Sequence, residues 1–108
     1  MRMKMALRVA ARHAKRDGQI TAEQYAVVMD AIRHPERKKI DGTSINLVEE
    51  VEKYTTQQMG VQGKLVDWPG VIQWFKDHWS QIIQTLCSLI SLCILFADTP
   101  KTGDYDEN

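Results

Sequence analysis

The segment that decides the fold runs from residue 79 to residue 97 and reads WSQIIQTLCSLISLCILFA. It contains no charged residue, and neither glycine nor proline interrupts it. As a helix rising about 1.5 Å per residue it would be roughly 29 Å long, which is close to the thickness of the hydrocarbon core of a bilayer. The segment therefore predicts a helix that is buried away from water, and it favours a single transmembrane span.

The signals for the start of this helix lie upstream of the uncharged run. Asp67 can accept hydrogen bonds from the free N–H groups of a first turn, and Pro69 suits that turn because its ring fixes a helical φ. We therefore predict one long helix over about residues 69–97. Trp74 and Trp79 lie where the uncharged run begins, the position expected for interfacial anchors of a membrane helix.

Two opposite stripes follow the long helix. The polar stripe recurs at steps of three, four and three, and consists of Gln81, Gln84, Ser88 and Ser91. The apolar seam alternates steps of three and four and consists of Ile72, Phe75, Trp79, Ile82, Leu86, Leu89, Cys93 and Phe96. In lipid the polar stripe would face another helix or a wet lumen, and in water the apolar seam would pack in a bundle. Both arrangements predict self-association or a helical partner.

Three shorter helices are predicted upstream, so the fold class is all-α. The first covers about residues 2–16 and ends near Gly18, and the second opens on a capping box formed by Thr21 and Gln24 and stops at Pro35. The third, capped by Thr43 or Ser44, runs to Gly60. Residues 36–42 are expected to be a charged connector, and no strand pattern is recognised.

These segments give a simple domain organisation. Residues 1–60 form a basic and amphipathic helical region, and residues 61–68 form a linker. Residues 69–97 form the long apolar helix, and residues 98–108 form an acidic, flexible tail. The expected architecture is three short N-terminal helices followed by one long C-terminal helix.

The formal net charge of zero conceals a strong asymmetry along the chain. Residues 1–16 contain six basic residues and no acidic one. Met3, Leu7, Ala10 and Ala14 share one face of the first predicted helix, and the basic side chains lie on the other: Lys4, Arg8, Arg12, Lys15 and Arg16. Such a face predicts contact with an anionic partner, which could be lipid headgroups, nucleic acid or an acidic protein surface.

Signatures of catalysis and of metal binding are missing from the sequence. The three histidines lie in different segments, without cysteine or carboxylate at ligand spacing. Cys87 and Cys93 would be roughly 9 Å apart on a helix, beyond disulfide reach. No glycine-rich phosphate loop or nucleophile elbow occurs. We therefore expect no enzyme activity, no cofactor, no metal site and no small-molecule substrate.

Three functions fit these observations. The first is a small membrane-anchored structural or assembly protein, such as a minor virion or envelope membrane component, in contact with lipids. The positive-inside rule would then place its N-terminus inside. The second is a pore-forming or holin-like lysis protein whose polar stripe lines a lumen. The third is a soluble cytoplasmic helical oligomer or interaction module.

Overall fold

The computed structural model describes residues 2–61 and 67–94. This part of the chain is predominantly helical, as predicted, with one small sheet. In chain order the elements are α1 Met3–Arg16, α2 Ala22–Arg33, β1 Glu36–Lys38, β2 Ser44–Asn46, α3 Leu47–Met59, α4 Trp68–Asp77 and α5 Trp79–Ser91.

Helix α1 lies at the centre of the fold. It packs mainly against α2 and α4, and also touches α3. The buried residues of α1 are Met3, Ala6, Leu7, Ala10, Ala11 and Ala14. Because four of these six are alanines with no exposed surface, the neighbouring helices can approach α1 closely. The predicted apolar face of this helix is confirmed.

The ends of the helices follow the local sequence signals. The Thr21 side chain accepts a hydrogen bond from the Gln24 N–H, and the Gln24 side chain accepts one from the Thr21 N–H, which completes the predicted capping box. Gly60, with φ of 72°, ends α3 in the left-handed conformation that glycine adopts without strain. Asp67 accepts from the Gly70 N–H, and proline occupies the first turn of α4.

The prediction for residues 36–42 is wrong, because part of this connector is a β-hairpin. Strands β1 and β2 pair antiparallel, with Arg37 opposite Ile45. In the turn, Gly42 has φ of 92° and the Lys39 N–H donates to the Thr43 carbonyl over 2.7 Å. Helix α3 therefore begins later than predicted. Its N-cap is Asn46, whose side chain accepts from the Glu49 N–H.

Asp41 holds this turn together and gives it a pH dependence. Its carboxylate accepts hydrogen bonds from the Thr43 hydroxyl (2.6 Å) and the Thr43 N–H (2.9 Å), and Lys39 adds a favourable charge. These contacts lower the pKa of Asp41 below its ordinary value of 3.8. The stabilisation is fully present above pH 3.8, and we expect it to be lost as the pH falls through the lowered pKa.

The Thr43→Val variant tests this dependence, because it removes the hydroxyl donor and keeps the shape of the side chain. The Asp41 pKa, followed by NMR titration of the carboxyl group, is expected to rise toward 3.8 in the variant. The hydrogen bond from the Thr43 N–H to the Asp41 carboxylate should persist in the variant. An unchanged pKa in Thr43→Val would show that the hydroxyl does not stabilise the carboxylate.

The single long helix predicted over residues 69–97 is also wrong. The helix is interrupted at His78, whose φ and ψ are −131° and 33°, so two helices form in place of one. The second of them, α5, ends at Ser91. The break has a tertiary cause, because α4 packs against α1 whereas α5 packs against α2 and α3. A straight helix of that length would extend about 44 Å, longer than the 39 Å longest dimension of the molecule.

Residues 92–94 leave the helix and pair with residues 38–40 of the hairpin through an isolated antiparallel bridge between Lys39 and Cys93. Ile40 donates its N–H to the Leu92 carbonyl over 2.9 Å, and Ile94 donates to the Lys38 carbonyl over 2.8 Å. Among the helices of residues 2–61 and 67–94, none is both long enough and apolar enough to cross a membrane. The transmembrane prediction therefore has no support in the described helices. Phe96, most of the predicted linker and the tail 98–108 lie outside the described residues.

Candidate site for an anionic partner

The basic side chains of α1 line the side of that helix facing away from the core. We call Lys4, Arg8, Arg12, Lys15 and Arg16 the basic row. Four of them are exposed, and Arg8 is half-buried. The opposite face of α1 is locked into the core, so the backbone that carries the row is held in place. The structure thus brings the five predicted residues together on one surface.

The members of the row differ in their partners. The Lys15 ammonium lies 5.5 Å from the centroid of the Tyr25 ring, a cation–π distance. Arg16 contacts Asp17 over 3.5 Å, in a pair so exposed that it contributes little. Within the described residues, Lys4, Arg8 and Arg12 form no ion pair. Among the described residues, these three cations thus have no ion pair to break before they contact an external anion.

The spacing of the row suits an extended anion. Lys4, Arg8 and Arg12 follow one another at four-residue steps, which a helix converts into about 6 Å each. The row from Lys4 to Lys15 extends over roughly 16 Å, a length that contains about five phosphates of one strand of a duplex. Arginine adds a planar fork of donors that fits phosphate oxygens.

The acidic side chains of the described residues lie outside α1. Helix α3 carries Glu49 and Glu50 in its first turn, where their charges interact favourably with the helix dipole, and Glu50 also pairs with Lys53 over 3.4 Å. Helix α1 contains no carboxylate, so none lies beside the basic row on its own helix.

The other predicted residues occupy two environments. In the polar stripe, Gln84, Ser88 and Ser91 are exposed and Gln81 is half-buried. Most of the apolar seam points into the molecule's own core. Its buried members are Phe75, Trp79, Ile82, Leu86 and Cys93, while Ile72 and Leu89 are half-buried.

The two predicted interfacial anchors also belong to the packed structure. Trp79 is only 5% exposed and stacks with Phe75 at 6.1 Å between ring centroids. Trp74 is half-buried and stacks with His78 at 4.3 Å. Because the Trp74 carbonyl can only accept, the His78 Nδ1 that lies 2.8 Å from it carries the proton.

Two features of the site and its surroundings are not among the predictions from sequence. Tyr25 of α2 holds Lys15, and nothing in the order of residues indicates that contact. Ile40, in the hairpin turn, is 71% exposed. The sequence signal for this turn is the Asp41-Gly42 pair, which is typical of hairpin turns. The many charged residues around the pair make that signal hard to recognise.

Comparisons with known proteins identify no relative of this chain. The chain matches no protein-family model, no curated protein and no solved structure. Within residues 2–61 and 67–94, no three histidine, cysteine or carboxylate side chains come together in a way that could hold a metal ion.

Proposed function

We propose that this protein is a helical interaction module that binds nucleic acid through the phosphate backbone, using the basic row of α1. The observation that carries the proposal is the state of Lys4, Arg8 and Arg12. They form no ion pair within the described residues, and they project from a helix whose other face is fixed in the core. Release of condensed counterions from the phosphates would drive the binding.

The buried face of α1 favours nucleic acid over a membrane surface. A helix that lies in a bilayer interface inserts its apolar face among the acyl chains. In α1 that face includes Leu7 and Ala10, which have no exposed surface and pack against neighbouring helices. Insertion would require the core to open, whereas contact with phosphates requires no rearrangement. Since the row contacts phosphates rather than base edges, we expect binding with little sequence preference.

Replacing two central cations tests the proposal. The Arg8→Gln/Arg12→Gln variant should bind a duplex oligonucleotide more weakly, and its affinity should depend less on salt. Two lost phosphate contacts are expected to reduce the slope of log K against log salt concentration by about 1.8. Fluorescence anisotropy of a labelled duplex, titrated at several salt concentrations, measures both quantities.

The Lys38→Gln/Lys53→Gln variant is the matched control, because it removes the same charge from exposed positions outside the row. It should keep the wild-type slope. An affinity that does not change with salt, or equal losses in the two variants, would contradict the proposal. Binding to anionic vesicles with no binding to the duplex would assign the row to lipid headgroups instead.

A membrane-anchored assembly role is a second proposal, and a pore is a variant of it. Both depend on the uncharged run of residues 79–97, of which only the last three lie outside the described residues. Alkaline carbonate extraction distinguishes these two membrane roles from the nucleic-acid-binding module. Retention of the protein in the membrane pellet would support an anchor, and release into the supernatant would exclude both membrane roles.

A further inference from the structure

An aromatic ring lies at the C-terminal end of the basic row. Tyr25, in the first turn of α2, is half-buried and packs in part against the core. The Lys15 ammonium lies over the Tyr25 ring, 5.5 Å from its centroid, and the Lys15 side chain is itself exposed. The ring face beneath Lys15 is therefore turned toward the outside of the molecule, where a long, flexible side chain covers it.

An exposed apolar side chain lies near the other end of the row. Met5 is 51% exposed, and it precedes Arg8 by three residues, so the two are neighbours on one face of α1. Along the helix, Met5 is about 15 Å from Lys15. Phosphate contacts make no use of a methionine, whereas the flat face of an unpaired base packs well against a thioether. The cations of the row thus lie between one apolar and one aromatic side chain.

We propose that the basic row binds single-stranded nucleic acid, with one unpaired base stacked on the outward face of Tyr25 in place of Lys15. This role rests on the proposed function and specifies the nucleic acid as unpaired. Cations that follow the backbone, together with an aromatic side chain under a base, are the combination by which single strands are bound. The bases of a duplex stay stacked on one another, so a duplex could contact the cations without using the ring.

The exchange of Lys15 for a base on the Tyr25 ring favours binding. Loss of an aromatic side chain that stacks a base weakens binding to a single strand by about five- to 150-fold. An exposed cation–π contact of the kind that Lys15 makes corresponds to only about two- to fivefold. The ring therefore gains more from a base than it loses with the ammonium. The displaced ammonium becomes available to a neighbouring phosphate of the same strand.

Removing the ring tests this role. The Tyr25→Leu variant keeps an apolar side chain toward the core, and it should bind a labelled oligothymidylate of about twelve nucleotides at least about fivefold more weakly than the wild type. Because no cation is lost, the slope of log K against log salt concentration should not change. The affinity for a duplex of the same length should not fall, because a duplex does not use the ring. Fluorescence anisotropy measures all three quantities.

Two control variants and one spectroscopic measurement separate stacking from packing. Tyr25→Phe keeps the ring without its hydroxyl, and it should bind the single strand like the wild type. Tyr54→Leu removes a half-buried tyrosine of α3 outside the row, and it should leave the affinity unchanged. In the wild-type complex, the NMR signals of the Tyr25 ring protons should move upfield as the base stacks on them, a result that does not depend on how any variant folds.

Several outcomes would overturn the stacking role. They are wild-type affinity of Tyr25→Leu for the single strand, equal losses of Tyr25→Leu for single strand and duplex, binding of Tyr25→Phe as weak as that of Tyr25→Leu, and ring-proton signals of Tyr25 that do not move upfield. Failure of the proposed function has a different pattern, in which binding is insensitive to salt and unchanged in Arg8→Gln/Arg12→Gln. Salt-dependent binding through the row with no effect of Tyr25→Leu would overturn only the stacked base.

Discussion

The Phe75→Ala variant is expected to lower the free energy of unfolding by about 3 to 5 kcal/mol. Phe75 of α4 has no exposed surface, and its ring packs at 6.0 Å from Trp74 and 6.1 Å from Trp79 between centroids. Truncation to alanine loses the burial of the ring and leaves a cavity that these large neighbours cannot fill without leaving their own positions. Urea denaturation followed by tryptophan fluorescence measures the loss.

The matched control for this variant is Ile72→Ala, which truncates a half-buried side chain one turn earlier on the same helix. It should destabilise the fold by no more than about half as much, because less apolar surface leaves water at that position. A loss in Phe75→Ala that does not exceed the loss in Ile72→Ala would show that the aromatic cluster is not the centre of the core.

The Arg37→Met variant is expected to destabilise the fold by about 2 to 4 kcal/mol, somewhat below the range for fully buried pairs. The Arg37 side chain is 11% exposed, donates to Asp30 over 2.8 Å and also donates to the His34 carbonyl over 2.6 Å. The other oxygen of Asp30 is buried and accepts no hydrogen bond. Removing the guanidinium would therefore leave a poorly solvated carboxylate. Thermal or urea unfolding measures the change.

The Asp30→Leu/Arg37→Met double variant separates two explanations for that loss. If the loss of stability arises from the unpaired Asp30 carboxylate, replacing both partners by apolar side chains should restore most of the stability. If the double variant is as unstable as the sum of the two single variants, the pair itself stabilises the attachment of the hairpin to α2, and the expected recovery is wrong.

The parts of the fold that were predictable are those that depend on local contacts. The capping box at Thr21, the stop at Pro35 and the left-handed Gly60 involve residues within a few positions of one another, so the sequence around each is sufficient. The buried face of α1 follows from the spacing of Leu7 and Ala10. In each case the physical cause acts over one or two turns of helix.

The wrong predictions have a different cause, because contacts between residues far apart in the sequence determine these parts of the fold. No glycine or proline marks His78, and the break there allows α4 and α5 to pack against different helices. The hairpin carried a local signal in Asp41-Gly42, but its strands lack apolar alternation, since only Ile45 among them is a large apolar residue. Isolated strands of this kind are fixed by the helices beside them and by the pairing of residues 92–94.

The composition of the basic row was predictable, but the state of its members was not. Helical periodicity places Lys4, Arg8 and Arg12 on one face. The contacts of these cations depend on the position of Tyr25 on α2 and on the positions of the acidic residues of α3. Neither follows from the spacing of residues along α1. Helix α5 presents the same difficulty, because the sequence leaves open whether its polar stripe faces water or another helix.

The packing of α1 against α4 also governs when the protein can fold during synthesis. The two helices are separated by about fifty residues, and α1 leaves the ribosome first. At roughly 5 to 20 residues per second, its apolar face around Leu7 waits several seconds before α4 exists to cover it. Until then α2 can already pack on α1, whereas the part of the α1 face that contacts α4 stays uncovered.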